Sequence, residues 1–280
     1  MLGSLIIVFR EVMEAGLIVG IVLAATRGIP GRGWWVAGGI GAGVAGAALL
    51  ACFAGALSQA FSGNGQDIFS AFVLCLAVAM LSWHIIWMSR HGREMAQNAK
   101  SFGAEVSSGS KSLFAMATVV AVAVLREGME IVLFLYGIAV SAHESAASMI
   151  LGGLLGVACG AALSWALYRG LVIIPLKHLF SVTNTLVALL AAGMASQAAA
   201  LLANDDLIPA LGFDLWDSSW LLSDGSMIGR AAKALFGYSD RPMGIQVLVW
   251  VLTLLALLVA ERVVRRQLPK APMRRQSVAG

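Results

Sequence analysis

Two short stretches of the chain carry three charged residues each inside otherwise apolar sequence: Arg10-Glu11-Val12-Met13-Glu14 and, 116 residues later, Arg126-Glu127-Gly128-Met129-Glu130. On a helix, the two glutamates of each stretch (i, i+3) and the arginine with the second glutamate (i, i+4) share one face, with neighbouring Cβ atoms about 5–6 Å apart. Each stretch therefore offers two carboxylates and one guanidinium to one side. A self-neutralising salt bridge that locks helix packing is the simplest reading of such a group, and its energetics are poor. A charge at the centre of a membrane helix costs about 2.5–3.5 kcal/mol, so six cost on the order of 15 kcal/mol, whereas an i,i+4 pair returns only about 0.3–0.5 kcal/mol. Four carboxylates against two guanidiniums also leave two negative charges unbalanced, and a cation is the natural partner. With no His or Cys in either stretch, the ligands suit hard ions (ferric or ferrous iron, manganese, calcium, magnesium) better than copper or zinc. Met13 and Met129 are read as packing residues.

The elements that must hold these residues are membrane helices. Of 280 residues, 59% are hydrophobic and 12% charged, and the mean hydropathy is +0.86. These values exclude a soluble protein and imply an all-α polytopic membrane protein. A span needs about 20 apolar residues, and seven segments reach that length: about 2–26, 34–61, 67–89, 113–141, 146–169, 179–203 and 243–262. The connections are a Gly/Pro turn (Arg27 to Gly33), a polar turn (Ser62 to Gln66), a charged Ser/Gly-rich loop (Arg90 to Ser112), a short turn (Ala142 to Ser145), a link with Pro175 and Lys177, and a long acidic loop, 204–242. A basic tail, 263–280, follows.

Alternate connections hold 14 Lys and Arg on one side of the membrane and 3 on the other. Positive residues collect in the cytoplasm, so the N-terminus is expected outside and the C-terminus inside. The net charge of +4 is on this reading an orientation signal, with no nucleic-acid footprint. The tail (Arg262, Arg265, Arg266, Lys270, Arg274, Arg275) is read as an orientation determinant in contact with anionic lipid. Acidic residues show the opposite bias. Asp67, Glu144, Asp205, Asp206, Asp214, Asp217, Asp224 and Asp240 fall outside, against Glu94, Glu105 and Glu261 inside. Cys52, Cys75 and Cys159 stand in separate apolar runs and form neither a disulfide framework nor a thiolate site. Arg10 and Glu11 interrupt the first apolar run, so it is expected to be retained rather than cleaved as a signal.

The two charged motifs lie in the first and fourth spans. Three spans separate their starts, so the second copy enters the membrane from the opposite side. This predicts an inverted repeat of spans 1–3 (residues 1–112) and 4–6 (113–203) with a seventh helix appended, an organisation of secondary transporters. The second span carries Gly39-x-x-x-Gly43 and the fifth Gly152-x-x-x-Gly156-x-x-x-Gly160, a spacing that lets helix backbones approach closely. Glu11 is about 15 Å into its span, near the midplane.

Weaker candidates surround this site. His84 in the third span is an outer ligand, a proton acceptor or a hydrogen-bonded packing residue. Ser196 and Gln197 in the sixth span line the path or bond across helices. Asp205, Asp206, Asp214 and Asp217 are candidates for external cation recruitment. Trp216 and Trp220 are read as interfacial anchors.

The doubled R-E-x-x-E motif in spans 1 and 4 of a seven-span chain resembles the iron permeases of the oxidase-dependent iron transporter family, including the bacterial EfeU-type permeases. Asp217-Ser218-Ser219 and Leu235-Phe236-Gly237-Tyr238 extend the resemblance towards the last helix. Met13 and Met129 stand where the family commonly has Leu, and Val12 replaces a usual Gly; no charged residue is affected. The resemblance implies iron uptake across the cytoplasmic (inner) membrane, with no permanently bound cofactor and no catalysis. It makes Glu11, Glu14, Glu127 and Glu130 iron-coordinating, with Arg10 and Arg126 as their partners. It also implies extracytoplasmic iron-oxidising or iron-delivering proteins. A proton-coupled carrier for another divalent ion remains open on chemistry alone. So does a di-iron carboxylate enzyme, although that class adds Glu-x-x-His on two helices, where this chain has a second Glu.

Overall fold

Among the described residues, eight α-helices and no strand make up the chain: α1 (Leu2–Ala25), α2 (Arg32–Ala60), α3 (Gln66–Ser107), α4 (Leu113–Ala142), α5 (Ala146–Tyr168), α6 (Leu176–Asn204), α7 (Met227–Phe236) and α8 (Gly244–Gln267). The computed structural model describes residues 1–60, 66–142, 145–170 and 176–267. Most of the Ser62 to Gln66 turn, Glu144, Pro175 and the tail from 268, with Lys270, Arg274 and Arg275, lie outside the described residues.

Within α2, α3, α5, α6 and α8, segments of 21 to 25 residues are long and apolar enough to cross a membrane. α1 and α4 have the length, 24 and 30 residues, but each carries its three charged residues at the centre. Exposure sorts the helices into two layers. About two thirds of the α6 span (67%) is buried, against 17% for α2 and α5 and 11% for α8. α2, α5 and α8 therefore turn apolar side chains such as Leu49, Phe53, Leu154 and Leu252 outward, as lipid-facing helices do. The inner layer is α1, α3, α4 and α6. Ile7, Leu74, Leu81, Ile85, Phe134, Ile138, Leu190 and Met194 form its main core.

The most extensive helix contacts are crosswise, α1 with α5 and α2 with α4, followed by α3 with α6. Glycines make the first two possible. A Cβ on Gly43 would lie 2.7 Å from Ala121 O and from Val124 Cβ, and one on Gly156 would lie 2.8 Å from Leu5 O and 2.9 Å from Val8 Cβ. Backbone sits where any side chain would begin. Substituting Gly43 or Gly156 by Leu is therefore expected to cost at least about 1–3 kcal/mol by overpacking. Thermal unfolding in detergent checks this, and an unchanged midpoint would contradict the packing described.

Two regions differ from their reading as loops. The stretch from Arg90 continues α3 as helix to Ser107, because Ala99 and Val106 bury against Val22, Val36, Met116 and Val120. Tertiary packing of an apolar stripe holds a charged segment helical. The connection after α6 contains α7, which packs against α6, α1 and α4. Ser226 caps its N-terminus by accepting from Gly229 N at 2.9 Å. Gly237 ends it in the left-handed region, φ 68°, where its backbone N approaches within 2.6 Å of a Cβ position on Gly193. Around it, Tyr238 Oη donates to Leu222 O at 2.7 Å, and Trp250 Nε1 to Phe236 O at 2.6 Å. Lys233 pairs with Asp224 at 3.0 Å, and Asp224 and Asp240 exchange backbone-to-carboxylate hydrogen bonds at 3.0 and 3.1 Å. The connection is a folded cap, and Gly237 and Tyr238 have structural work in it.

Candidate functional site

The crossing of α1, α3 and α4 brings the two charged motifs into one buried cluster. Arg10 and Glu11 are wholly inaccessible, and Glu14, Glu127, Glu130 and His84 are buried as well. Arg10 is folded onto its own motif: Nη1 lies 2.8 Å from Glu11 Oε1 and Nη2 3.1 Å from Glu14 Oε1. Arg126 is held differently. Its Nε is 3.3 Å from Glu130 Oε1 and 3.8 Å from Glu127 Oε1, its side chain is 38% exposed, and its guanidinium lies 4.6 Å over the Trp87 ring. Trp87 in turn stacks on His91, with centroids 5.1 Å apart. The two motifs are alike in sequence and unlike in state: one arginine is sealed in, the other is drawn toward α3 by a cation–π contact.

His84 joins the two halves. Its Nε2 is 3.1 Å from Glu14 Oε2, and its Nδ1 contacts Glu130 Oε2. Glu11, His84, Glu127 and Glu130 each present one oxygen or nitrogen, and these four atoms lie within 4.8 Å of one another. Glu11 Oε2 and Glu127 Oε2 are buried and have no hydrogen-bond partner among the described residues. A buried carboxylate oxygen without a partner loses its solvation uncompensated, and both oxygens could accept a cation. Next to them lies a cavity of about 630 Å³ between α1, α2, α4 and α5, whose walls are apolar apart from Glu11, Glu127 and Ser164. An apolar lining lowers the local dielectric, which would strengthen attraction between these carboxylates and a cation.

A sequence model described as the Iron permease FTR1 family matches residues 1–265. The chain belongs to the iron permease FTR1 family. Relatives of this permease include the ferrous iron permease EfeU of Escherichia coli O6:K15:H31, 30% identical over 91% of this chain and 93% of the relative. The Yersinia pestis ferrous iron permease EfeU is 28% identical over 91% of this chain and 90% of the relative. No solved structure gives a significant match. The permease is a multi-pass inner-membrane protein, and iron is the substrate it transports.

The other candidates of the permease are not among the four residues that gather there. Asp205 and Asp206 are exposed just beyond α6, and Asp214 and Asp217 are exposed in the following connection. Asp217 accepts from Ser219 Oγ at 2.6 Å and Ser219 N at 2.9 Å, and pairs with Arg241 at 2.9 Å. The Ser219 side chain first, its backbone N–H next and then Arg241 hold the Asp217 carboxyl below its ordinary pKa. Gln197 is half buried on α6, and its Nε2 has no hydrogen-bond partner among the described residues. Trp220 is exposed and Trp216 largely so. Sequence reasoning missed Trp87, although it stands three residues after His84 and so on the same side of α3. Ser164, opposite Gly16, carried no sequence signal.

Proposed function

We propose that iron crosses the bilayer through the buried cluster, where Glu11, Glu14, Glu127 and Glu130 replace its water shell and Arg10 and Arg126 supply the counter-charge. The observation that carries this reading is the pair of buried, unpartnered oxygens, Glu11 Oε2 and Glu127 Oε2, one from each R-E-x-M-E motif. With four carboxylates and two guanidiniums the motifs carry −2, which a ferrous ion neutralises; the relatives are named for ferrous iron. The arginines keep the ion-free cluster together and weaken binding enough for release.

The architecture behind this reading is seven spans, α1 to α6 and α8, with 1–112 and 113–203 as inverted repeats, 204–242 as an external connection, 243–262 as the last span and 263–280 as the cytoplasmic tail. Three features support it. Exchanging α1 with α4, α2 with α5 and α3 with α6 converts the α1–α5 contact into α4–α2 and leaves α3–α6 unchanged, which matches the crosswise packing. Met1 O and Leu5 O meet Gly152 and Gly156, while Ala117 O and Ala121 O, each 116 residues later, meet Gly39 and Gly43. The Lys and Arg asymmetry sets the N-terminus outside. Rocking of one repeat on the other then exposes the midplane site alternately to each side. Asp205, Asp206 and Asp214 concentrate cations at the outer face, which is also where an iron-oxidising or iron-delivering protein would meet the permease.

In a background with Cys52, Cys75 and Cys159 replaced by Ala, a membrane-impermeant maleimide is expected to label Ser223→Cys in intact cells. It should reach Ser108→Cys only after permeabilisation, and the reverse pattern would overturn the orientation. For the function, labelled-iron uptake by cells depending on this permease is expected to fail with Glu14→Gln and Glu130→Gln. Normal uptake by both would refute the site.

A further inference from the structure

The cluster contains one group that neither motif supplies. His84 comes from α3, where Leu81 and Ile85 are packed into the main core, so the helix fixes the ring's position. Both of its nitrogens are used within the cluster, Nε2 on Glu14 and Nδ1 on Glu130. We propose that His84 is a direct ligand of the transported ion, completing a set of Glu11, His84, Glu127 and Glu130, and that its nitrogen biases the site toward ferrous iron over manganese, calcium and magnesium. This rests on the reading of the cluster as the transport site.

Three observations carry it. The four donor atoms already lie within 4.8 Å of one another. Ligands on opposite sides of an ion bonded at about 2.1 Å stand about 4.2 Å apart, so small side-chain movements close the set. Glu11 Oε2 and Glu127 Oε2 have neither a hydrogen bond nor an ion pair among the described residues, whereas both oxygens of Glu14 are ion-paired, to Arg10 Nη2 and His84 Nε2. The proposed site is refined in one respect: His84 takes the place of Glu14 at the ion, and Glu14 acts through it, accepting the Nε2–H and leaving the Nδ1 lone pair to the ion, in the carboxylate–histidine–metal arrangement that fixes tautomer and ring direction. Nδ1 and Glu130, which touch each other in the structure, part to admit the ion between them. Finally, imidazole suits iron, whereas sites made only of carboxylate, carbonyl and water oxygens suit magnesium, calcium and manganese. An all-glutamate site lacks a basis for that choice, and His84 supplies it.

The test is X-ray absorption at the iron edge of tag-free permease in detergent, loaded anaerobically with Fe²⁺ alone, together with competition of Mn²⁺ against labelled Fe²⁺ in uptake. Wild-type protein is expected to show the outer-shell scattering of a coordinated imidazole. His84→Gln, which keeps a hydrogen-bonding side chain, should lose that scattering, and its preference for Fe²⁺ over Mn²⁺ should fall at least about tenfold. Bound iron without imidazole scattering in the wild type, or unchanged scattering and selectivity in His84→Gln, overturns the assignment. The wild-type spectrum decides the matter even if the variant does not fold. Failure of the underlying reading looks different: iron bound by Glu11→Gln and Glu127→Gln with wild-type affinity refutes the cluster itself, whatever the spectrum.

Discussion

Arg10→Met is expected to destabilise the fold by about 3–5 kcal/mol, and Arg126→Met by only about 1–2 kcal/mol, although the two residues hold the same position in their motifs. Arg10 is wholly buried between Glu11 and Glu14, at 2.8 and 3.1 Å. Its loss leaves buried Glu11 with no ion-pair partner among the described residues and Glu14 with His84 alone, a case in which the penalty of the unpaired groups dominates. Arg126 is 38% exposed, meets Glu130 through Nε at 3.3 Å and rests on Trp87, so solvent screening and a replaceable cation–π contact limit what is lost. Thermal unfolding in detergent should separate the two variants clearly. Equal losses would mean that the difference in burial has no energetic consequence.

Glu11→Gln and Glu127→Gln should each weaken iron binding at least about tenfold, with little effect on folding. Each substitution keeps the side chain's shape and removes one negative charge, and the oxygen removed from the ion's reach is one that no protein group uses, Glu11 Oε2 or Glu127 Oε2. Loss of even an outer-shell group at a metal site costs roughly 10–100-fold in affinity, so loss of a direct ligand sets a floor there. Relief of like-charge repulsion between buried carboxylates predicts that Glu127→Gln is at least as stable as the wild type, while in Glu11→Gln the same relief offsets the weakened contact with Arg10, whose hydrogen bond the amide oxygen keeps and whose charge Glu14 still pairs. Binding of Fe²⁺ followed by calorimetry under anaerobic conditions, with unfolding measured in parallel, checks both halves. Unchanged affinity in either variant would remove that residue from the site.

Much of this arrangement is legible in the sequence because charge is so expensive in an apolar setting. Arg10, Glu11, Glu14, Arg126, Glu127 and Glu130 announce themselves by standing where a charge is costly, and the apolar runs give helix bounds within about five residues everywhere except the end of α3. What escaped was decided by contacts between distant segments. His84 is a candidate in the sequence, but it is 70 residues from Glu14, and no local pattern tells a solitary intramembrane histidine from one that joins the two charged motifs. The crosswise pairing of α1 with α5 and α2 with α4 was hinted at only by glycine spacing. The end of α3 reads as loop in the sequence because its charged residues mask Ala99 and Val106, which bury in one cluster with Val22 and Met116. α7 was missed for a related reason: ten residues between polar turns carry little periodicity, and its position is held by Gly193 of α6 and Trp250 of α8.

The central claim is that the buried carboxylates carry iron across the membrane. Purified permease reconstituted into sealed vesicles, with labelled Fe²⁺ supplied outside, measures it without other transport proteins. Saturable accumulation by the wild type and its loss in Glu11→Gln and Glu127→Gln, both reconstituted as folded protein, is the result expected. Accumulation by those two variants at the wild-type rate would contradict the claim.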